Sequence, residues 1–146
     1  NSINVYYQTK LAAGRWLPVV KNNEDYAGIR GQNITGLAIT TDTGYIKYRV
    51  HVDSGWLDFI DSRNIDINDY YNGYAGNDTP VDAVEIYYYT PDDIINSSGY
   101  HYAFYRVSPV NRDYYSLQKD NSTDNGMDGY AGIFGHFIDR IQIDIR

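Results

Sequence analysis

Apolar and polar residues alternate along several short stretches of this chain with a period of two. Tyr48, Val50 and Val52 fall on one face of such a stretch, and Arg49 and His51 fall on the other. This alternation predicts β-strands that cover a core on one side. No window has helical periodicity long enough to predict a helix, so we predict an all-β protein.

The same order of features occurs three times along the chain. Each copy contains the tripeptide Tyr-Ala-Gly, at residues 26–28, 74–76 and 130–132, and an alternating apolar run follows it. A strand-like run and a large aromatic residue precede the tripeptide. The aligned aromatic residues are Tyr7, Tyr48 and Tyr105 in the strands, and Trp16, Trp56 and Tyr114 after them.

Three units of this kind cannot bury their apolar faces separately, so we predict one shared core about a pseudo-threefold axis. The prediction is a single domain over residues 1–146, with repeats at about 3–42, 45–90 and 100–146. A β-trefoil agrees with this pattern, and a three-sheet β-prism agrees nearly as well. Both architectures remain open from the sequence.

Composition and charge narrow the classes of function. The chain has a net charge of −7, no cysteine and 17 tyrosines. Nucleic acids and anionic membranes require a positive surface, so we predict neither as a partner. Without cysteine the chain forms no disulfide and has no thiolate chemistry. No signal segment precedes the repeats, so Asn1 is expected to begin an excised piece of a longer, secreted protein.

Motifs of catalysis and metal binding are missing from the sequence. The histidines His51, His101 and His136 lie far apart, and no zinc-protease, nucleophile-elbow or phosphate-loop motif occurs. The Asp- and Asn-rich stretch that begins at Asp120 lacks the Gly of a calcium loop at its sixth position, and Ala131 stands at the twelfth in place of Glu. We therefore predict no catalytic residue, no cofactor and no metal site.

Two aspartates recur at the start of the closing apolar runs. Asp82 and Asp139 occupy this position in the second and third repeats, and Thr35 occupies it in the first. A residue that recurs in each repeat is more typical of a structural role than of catalysis. We predict that these side chains close the Tyr-Ala-Gly loop by accepting hydrogen bonds from backbone N–H groups.

The recurring aromatic residues are candidates for carbohydrate binding, because sugar rings present apolar C–H faces that stack on Trp and Tyr. Asp, Asn and Gln would then hold the hydroxyl groups, and a threefold repeat offers up to three sites. The competing interpretation places Trp16, Trp56 and Tyr114 in the core. The candidate ligand contacts are Trp16, Trp56, Tyr114, Tyr26, Tyr74, Tyr130, Tyr71 and Tyr115.

Residues 46–87 resemble the clostridial hydrophobic-W repeat. The resemblance is carried by Tyr-Arg-Val-His-Val at 48–52, Gly-Trp at 55–56, Ala-Gly at 75–76 and the run at 81–86. The whole chain resembles the C-terminal cell-wall-binding region of clostridial phage endolysins and related autolysins.

The resemblance implies a non-catalytic module that is secreted or released at phage lysis, acts outside the cell at the wall, and binds peptidoglycan or a secondary wall polysaccharide. It also implies an upstream catalytic domain in the same protein. The first repeat departs from the pattern at Lys10-Leu11, and the third has Tyr114 in place of Trp. Two alternatives remain. One is a protein-binding or homo-oligomerising domain with exposed tyrosines, and the other is a glycosidase with an unrecognised carboxylate pair.

Overall fold

The computed structural model describes residues 2–146, and most of its regular structure is β-strand. Repeat 1 forms β1 (Val5–Leu11), β2 (Val20–Lys21), β3 (Ala27–Gly28) and β4 (Ile34–Thr41). Repeat 2 forms β5 (Tyr45–Val52), β6 (Gly55–Trp56), β7 (Ile60–Asp61), β8 (Ala75–Gly76) and β9 (Val81–Tyr89). Repeat 3 forms β10 (Ala103–Pro109), β11 (Gln118–Lys119), β12 (Ala131–Gly132) and β13 (Ile138–Ile145). The predicted all-β class is confirmed.

A short α-helix, α1 (Asp92–Ser98), connects repeats 2 and 3 and was not predicted from the sequence. Its seven residues make two turns, which is too short for a helical period to stand out. The helix begins after Pro91, carries Asp92 and Asp93 in its first turn, and is capped at its C-terminal end by Gly99. These residues favour a helix at this place because Pro suits a helix start and carboxylates stabilise its N-terminal end.

The two long strands of each repeat pair with each other and form the centre of one antiparallel sheet. These pairs are β1 with β4, β5 with β9, and β10 with β13. Within residues 2–146 the strands form three sheets and no closed barrel. The β-trefoil barrel is therefore not formed, and the three-sheet alternative agrees better with the structure.

The three central pairs have the same register. Tyr7 lies opposite Ile39, and the corresponding partners are Tyr48 with Ile86 and Tyr105 with Ile143. Each pair also has one register shift, near the end of its first strand. The predicted alignment of the three strand tyrosines is thereby confirmed.

A backbone hydrogen bond that recurs in all three repeats aligns the three large aromatic residues as well. The residue after each of them donates its N–H to the first long strand of its own repeat. The three bonds are Leu17 N to Thr9 O, Leu57 N to Val50 O and Tyr115 N to Val107 O, each 3.0 Å. Trp16, Trp56 and Tyr114 therefore occupy one equivalent position, as predicted.

The Tyr-Ala-Gly strand of each repeat joins the sheet of another repeat. Strand β8 of repeat 2 pairs with β4 of repeat 1, and β12 of repeat 3 pairs with β9 of repeat 2. Strand β3 of repeat 1 closes the cycle by pairing with β13 of repeat 3. Every sheet thus contains strands from two repeats, so the repeats depend on one another for their hydrogen bonds.

The apolar faces of all three sheets meet in one hydrophobic core, and its largest side chains include the three strand tyrosines. Their hydroxyl oxygens accept backbone N–H bonds from a neighbouring sheet. The bonds are Ile143 N to Tyr7 (3.1 Å), Ile39 N to Tyr48 (3.2 Å) and Ile86 N to Tyr105 (3.0 Å). Burial raises the pKa of all three hydroxyls. These bonds satisfy buried polar groups while joining the sheets in a cycle.

One further position is equivalent in the three repeats but carries different side chains. Asn22 and Ser62 accept backbone N–H bonds from the first long strand of their repeats, at 2.9 and 2.8 Å. Asp120 does the same in repeat 3, where its Oδ1 accepts from Ala103 N at 2.8 Å and from Tyr88 N at 3.2 Å. A neutral acceptor therefore suffices for this contact. Burial raises the pKa of Asp120 to about 6, although the two N–H bonds act against the shift.

Changing Asp120 to Asn is expected to remove part of the pH dependence of stability. The ordinary pKa of the group is 3.8, so between about pH 4 and pH 6 the folded protein binds more protons than the unfolded chain. The wild type therefore loses stability as the pH rises through this window, by about 2 kcal/mol. Asp120→Asn keeps the acceptor and does not ionise. Urea unfolding at several pH values measures the difference between the two proteins.

The exposed residue Asp113 supplies the matched control. Asp113→Asn removes the same charge from the surface and should leave the pH profile parallel to that of the wild type. The expectation would be contradicted if Asp120→Asn and the wild type differed in unfolding free energy by the same amount at pH 4 and at pH 7.

Candidate functional site

Strand exchange places the large aromatic residue of one repeat against the Tyr-Ala-Gly tyrosine of the next. The rings of Trp16 and Tyr74 meet edge to face, with centroids 5.0 Å apart. Trp56 and Tyr130 meet in the same manner at 5.4 Å. Both contacts arise because the exchanged strands, β8 and β12, carry the tyrosine into the neighbouring sheet. Predicted ligand contacts from distant parts of the sequence are therefore neighbours.

At the third junction an arginine lies between the two rings. The Arg140 guanidinium is 5.2 Å from the ring centroid of Tyr114 and 5.9 Å from that of Tyr26. Arg106 lies 4.2 Å from the Tyr114 ring, and Arg140 also pairs with Asp139 at 2.9 Å. Burial raises the pKa of Tyr114 to about 12, against the effect of the two arginines. Its hydroxyl is buried with no hydrogen-bond partner among residues 2–146.

Lys10 and His51 occupy equivalent positions in the first two junctions, but they make different kinds of contact there. Lys10 Nζ lies 3.0 Å from the Tyr74 hydroxyl and 2.7 Å from Asp78, and the Asp78 hydrogen bond raises the pKa of Lys10. In the second junction His51 stacks on Phe134, with ring centroids 3.8 Å apart. Asp78 and Phe134 each follow a Tyr-Ala-Gly tyrosine by four residues. The ionic contact of one junction is thus replaced by an aromatic contact in the next.

Each repeat also forms a surface groove beside its junction, between its own Tyr-Ala-Gly segment and the segment after its large aromatic residue. Groove 1 is lined by residues 17–21 and 24–29 and has a volume of about 600 Å³. Groove 2 is lined by residues 57–58, 60, 70–71 and 74–77, with about 160 Å³. Groove 3 is lined by residues 114–118, 125–128 and 130–133, with about 550 Å³. The three grooves are equivalent in position and differ in size.

Groove 2 is smaller than the other two, and tyrosines of its own repeat line it. Tyr70 and Tyr71 come from the polar insertion at residues 61–73, and their ring centroids are 4.1 Å apart. Tyr74 in the same groove is only 3% exposed, because Trp16 covers its ring and Lys10 takes its hydroxyl. Groove 2 therefore offers little room and no free face of Tyr74.

Grooves 1 and 3 expose apolar side chains beside polar ones. Val19 is 58% exposed in groove 1, where Tyr26 is 39% exposed. Ile133 is 48% exposed in groove 3, together with the exposed Leu117. Grooves that combine exposed apolar side chains with polar ones are among the places where ligands bind.

The polar side chains of these two grooves are acidic or uncharged, with a single exception. Glu24 and Asp25 line groove 1, and its only cation, Lys21, lies 3.8 Å from Glu24. Asn125 and Asp128 line groove 3, which contains no Lys or Arg among its lining residues. The grooves can therefore accept hydrogen bonds from hydroxyl or amide groups, and they do not offer free positive charge.

The structure divides the eight predicted ligand contacts between junctions and grooves. Trp16 and Trp56 are half-buried in the junctions and do not line a groove. The groove-lining residues among them are Tyr26 in groove 1, Tyr71 and Tyr74 in groove 2, and Tyr114, Tyr115 and Tyr130 in groove 3. Of these, Tyr26 and Tyr71 are exposed, Tyr74 is buried and the others are half-buried.

Sequence reasoning missed several residues of the grooves and junctions. Val19, Leu117 and Ile133 are apolar residues in segments that form little or no regular strand, so alternation says nothing about their exposure. Phe134 was missed because it follows the third Tyr-Ala-Gly tyrosine by four residues, where the other repeats have unrelated side chains. An apolar residue inside a turn-rich segment is the signal that could have identified them.

The recurring aspartates have the structural role that the sequence predicts. Asp139 Oδ2 accepts from Gly31 N at 2.7 Å, and Asp82 Oδ2 accepts from Gly135 N at 2.8 Å. Both donors lie in the loop after a Tyr-Ala-Gly tripeptide, but that loop belongs to a different repeat. The prediction is confirmed for Asp82 and Asp139, and each carboxylate joins two repeats. It is wrong for Thr35, whose hydroxyl donates to Lys10 O instead.

Comparisons with known proteins return no match to a family model, to a curated protein or to a solved structure. No helix of the described residues has the length and apolar character that crossing a bilayer requires. Across residues 2–146, no group of three or more acidic or histidine side chains is placed to hold a metal ion.

Proposed function

We propose that this chain is a non-catalytic module that binds bacterial cell-wall glycan outside the cell and positions an attached lytic enzyme on the wall. The observation that carries the proposal is the triplicated groove, whose lining combines aromatic and apolar side chains with carboxylate and amide groups. This combination suits a saccharide, because its ring presents C–H groups to apolar side chains and hydroxyls to oxygen acceptors. The volumes of grooves 1 and 3 fall in the range of about 300–1,000 Å³ that ligand sites occupy.

The arrangement of the grooves also favours a polymer over a small soluble molecule. The three grooves are lined by equivalent segments of three different repeats, so two or more of them can engage a repeating ligand. Linked sites exceed the affinity of either one by about 10²–10⁴. Shallow grooves of modest individual affinity are therefore sufficient for retention on a wall.

A sedimentation assay with purified bacterial walls tests the proposal. The fluorescently labelled chain is mixed with clostridial walls, and the bound fraction is measured with and without muropeptides or stripped wall polysaccharide as competitors. We expect the chain to sediment with the walls and one competitor to release it. A chain that stays in the supernatant with every wall preparation, and that forms a stable oligomer in solution, would favour a protein-binding domain instead.

A further inference from the structure

We propose, on the basis of the wall-binding function above, that grooves 1 and 3 are the two working ligand sites and that groove 2 is closed by tyrosines of its own repeat. The volume of groove 2, about 160 Å³, is below the range of about 300–1,000 Å³ for ligand sites. Those of grooves 1 and 3, about 600 and 550 Å³, are within it. The pseudo-threefold repeat therefore yields two sites rather than three.

The exposure of the Tyr-Ala-Gly tyrosines also distinguishes groove 2 from the other two grooves. Tyr26 is 39% exposed in groove 1. Tyr130 packs against Trp56 and Phe134 but stays partly exposed in groove 3, so each tyrosine has surface for a ligand. Tyr74 in groove 2 is 3% exposed, and the Trp16 and Lys10 contacts occupy its ring and its hydroxyl. A ligand entering groove 2 would have to displace these contacts as well as the Tyr70–Tyr71 pair.

The charges of the working grooves define the chemical class of the ligand. Groove 3 has no lining cation, and the one cation of groove 1, Lys21, lies beside Glu24. The rest of the polar lining is carboxylate, amide or hydroxyl. Arg106 and Arg140 lie against the Tyr114 ring but do not line groove 3, and they are bonded to Gln142 and Asp139. A phosphate-bearing polymer would therefore meet carboxylates there without a free lining cation. The ligand is therefore an uncharged saccharide chain without phosphate.

Tyr71, an expected ligand contact on sequence grounds, has a different role in this proposal. It forms part of the closure of groove 2 together with Tyr70. The insertion at residues 61–73 that carries these tyrosines is longer than the corresponding segment of repeat 1. This segment supplies the two tyrosines that narrow groove 2, whereas the insertion of repeat 3 leaves groove 3 open.

Three matched substitutions test the assignment of the sites. Val19→Glu blocks groove 1, Ile133→Glu blocks groove 3, and Tyr70→Glu places the same charge in groove 2. The three side chains are 58%, 48% and 50% exposed, so each variant is expected to fold, and circular dichroism and a melting curve verify this. Leu117→Glu provides a second block of groove 3 if Ile133→Glu fails to fold.

Binding is measured by sedimentation with two preparations of clostridial wall, one untreated and one stripped of phosphodiester polymers with hydrofluoric acid. The wild type should bind both. Val19→Glu and Ile133→Glu should each weaken binding by about 10² or more, because one site loses the avidity of two, and the double variant should not bind. Tyr70→Glu should stay within about twofold of the wild type.

Each outcome separates the inference from the function on which it rests. A wild type that binds neither preparation overturns the wall-binding function itself. Binding to untreated walls alone keeps that function and overturns the phosphate-free ligand. A loss with Tyr70→Glu equal to that of Val19→Glu, or no loss with either groove block, overturns the assignment of two working sites.

Discussion

Replacing Asp139 with alanine is expected to lower the free energy of unfolding by about 3–5 kcal/mol, the range measured when one partner of a buried ion pair is removed. Its side chain is fully buried. Oδ2 accepts from Gly31 N at 2.7 Å and Asn111 N at 2.9 Å, and Oδ1 accepts from Arg140 Nε at 2.9 Å. The alanine variant would leave two backbone donors unpaired and one buried guanidinium without its carboxylate.

Thr35→Ala is the matched control because Thr35 occupies the equivalent position in repeat 1. Its hydroxyl makes a single bond, to Lys10 O at 3.3 Å, so its loss should cost about 1 kcal/mol. Urea unfolding followed by tyrosine fluorescence gives both values. Similar losses for the two variants would show that the carboxylate of Asp139 does not join repeats 1 and 3 in the way its contacts indicate.

Replacing Gly28 with alanine is expected to destabilise the fold by about 4 kcal/mol. Gly28 has φ of +128°, and an added Cβ would clash with the backbone oxygen of Asp139. Strain in this region of φ costs about 1–3 kcal/mol, and overpacking adds about 1–3 kcal/mol. Because the clash lies where β3 of repeat 1 pairs with β13 of repeat 3, the variant should disrupt the strand exchange.

Gly55→Ala isolates the contribution of backbone strain. Gly55 has φ of +117°, but apart from residues 54–56 no atom of the described residues 2–146 lies within 4 Å of the position that a Cβ would take. This control should lose about 1–3 kcal/mol from strain alone. Thermal and urea unfolding of both variants measures the difference. If Gly28→Ala is no less stable than Gly55→Ala, the close approach of the two strands does not limit the side chain at position 28.

Asp139→Ala and Gly28→Ala are also expected to affect the candidate site. Residues 24–29 line groove 1, and Gly28 and Gly31 belong to the segment that Asp139 and β13 hold in place. A variant that remains folded at low temperature but loses the exchange would lose groove 1 and keep groove 3. Wall binding would then fall to that of one site, which links fold stability to the proposed function.

Much of the local architecture could be predicted from the sequence, because local rules control it. Alternation around Tyr48 indicates a strand with one buried face, and the burial of Tyr48, Val50 and Val52 follows that pattern. The repeated order of residues aligned Tyr7 with Tyr48 and Tyr105, and the backbone register agrees. Recurrence of Asp82 and Asp139 likewise indicated an acceptor for a loop.

The division of aromatic residues between packing and binding could not be predicted from composition. The sequence around Trp16 and Trp56 does not distinguish a ring that stacks on a ligand from a ring that packs in the fold, since both roles favour large rings. Exposure decides between them, and exposure depends on what a distant segment places over the ring. Phe134 of repeat 3 packs against the Trp56 ring of repeat 2, and Lys10 of repeat 1 covers the Tyr74 ring of repeat 2.

The sequence by itself determined the all-β class, the threefold repetition and the alignment of equivalent residues. These properties follow from alternation and recurrence, which act over short distances along the chain. Only the tertiary structure decided that the strands form three sheets instead of a barrel, that Tyr-Ala-Gly strands pass between repeats, and that groove 2 is narrow. The physical reason is that hydrogen-bond pairing and ring coverage join residues up to 136 positions apart, as in the bond between Tyr7 and Ile143.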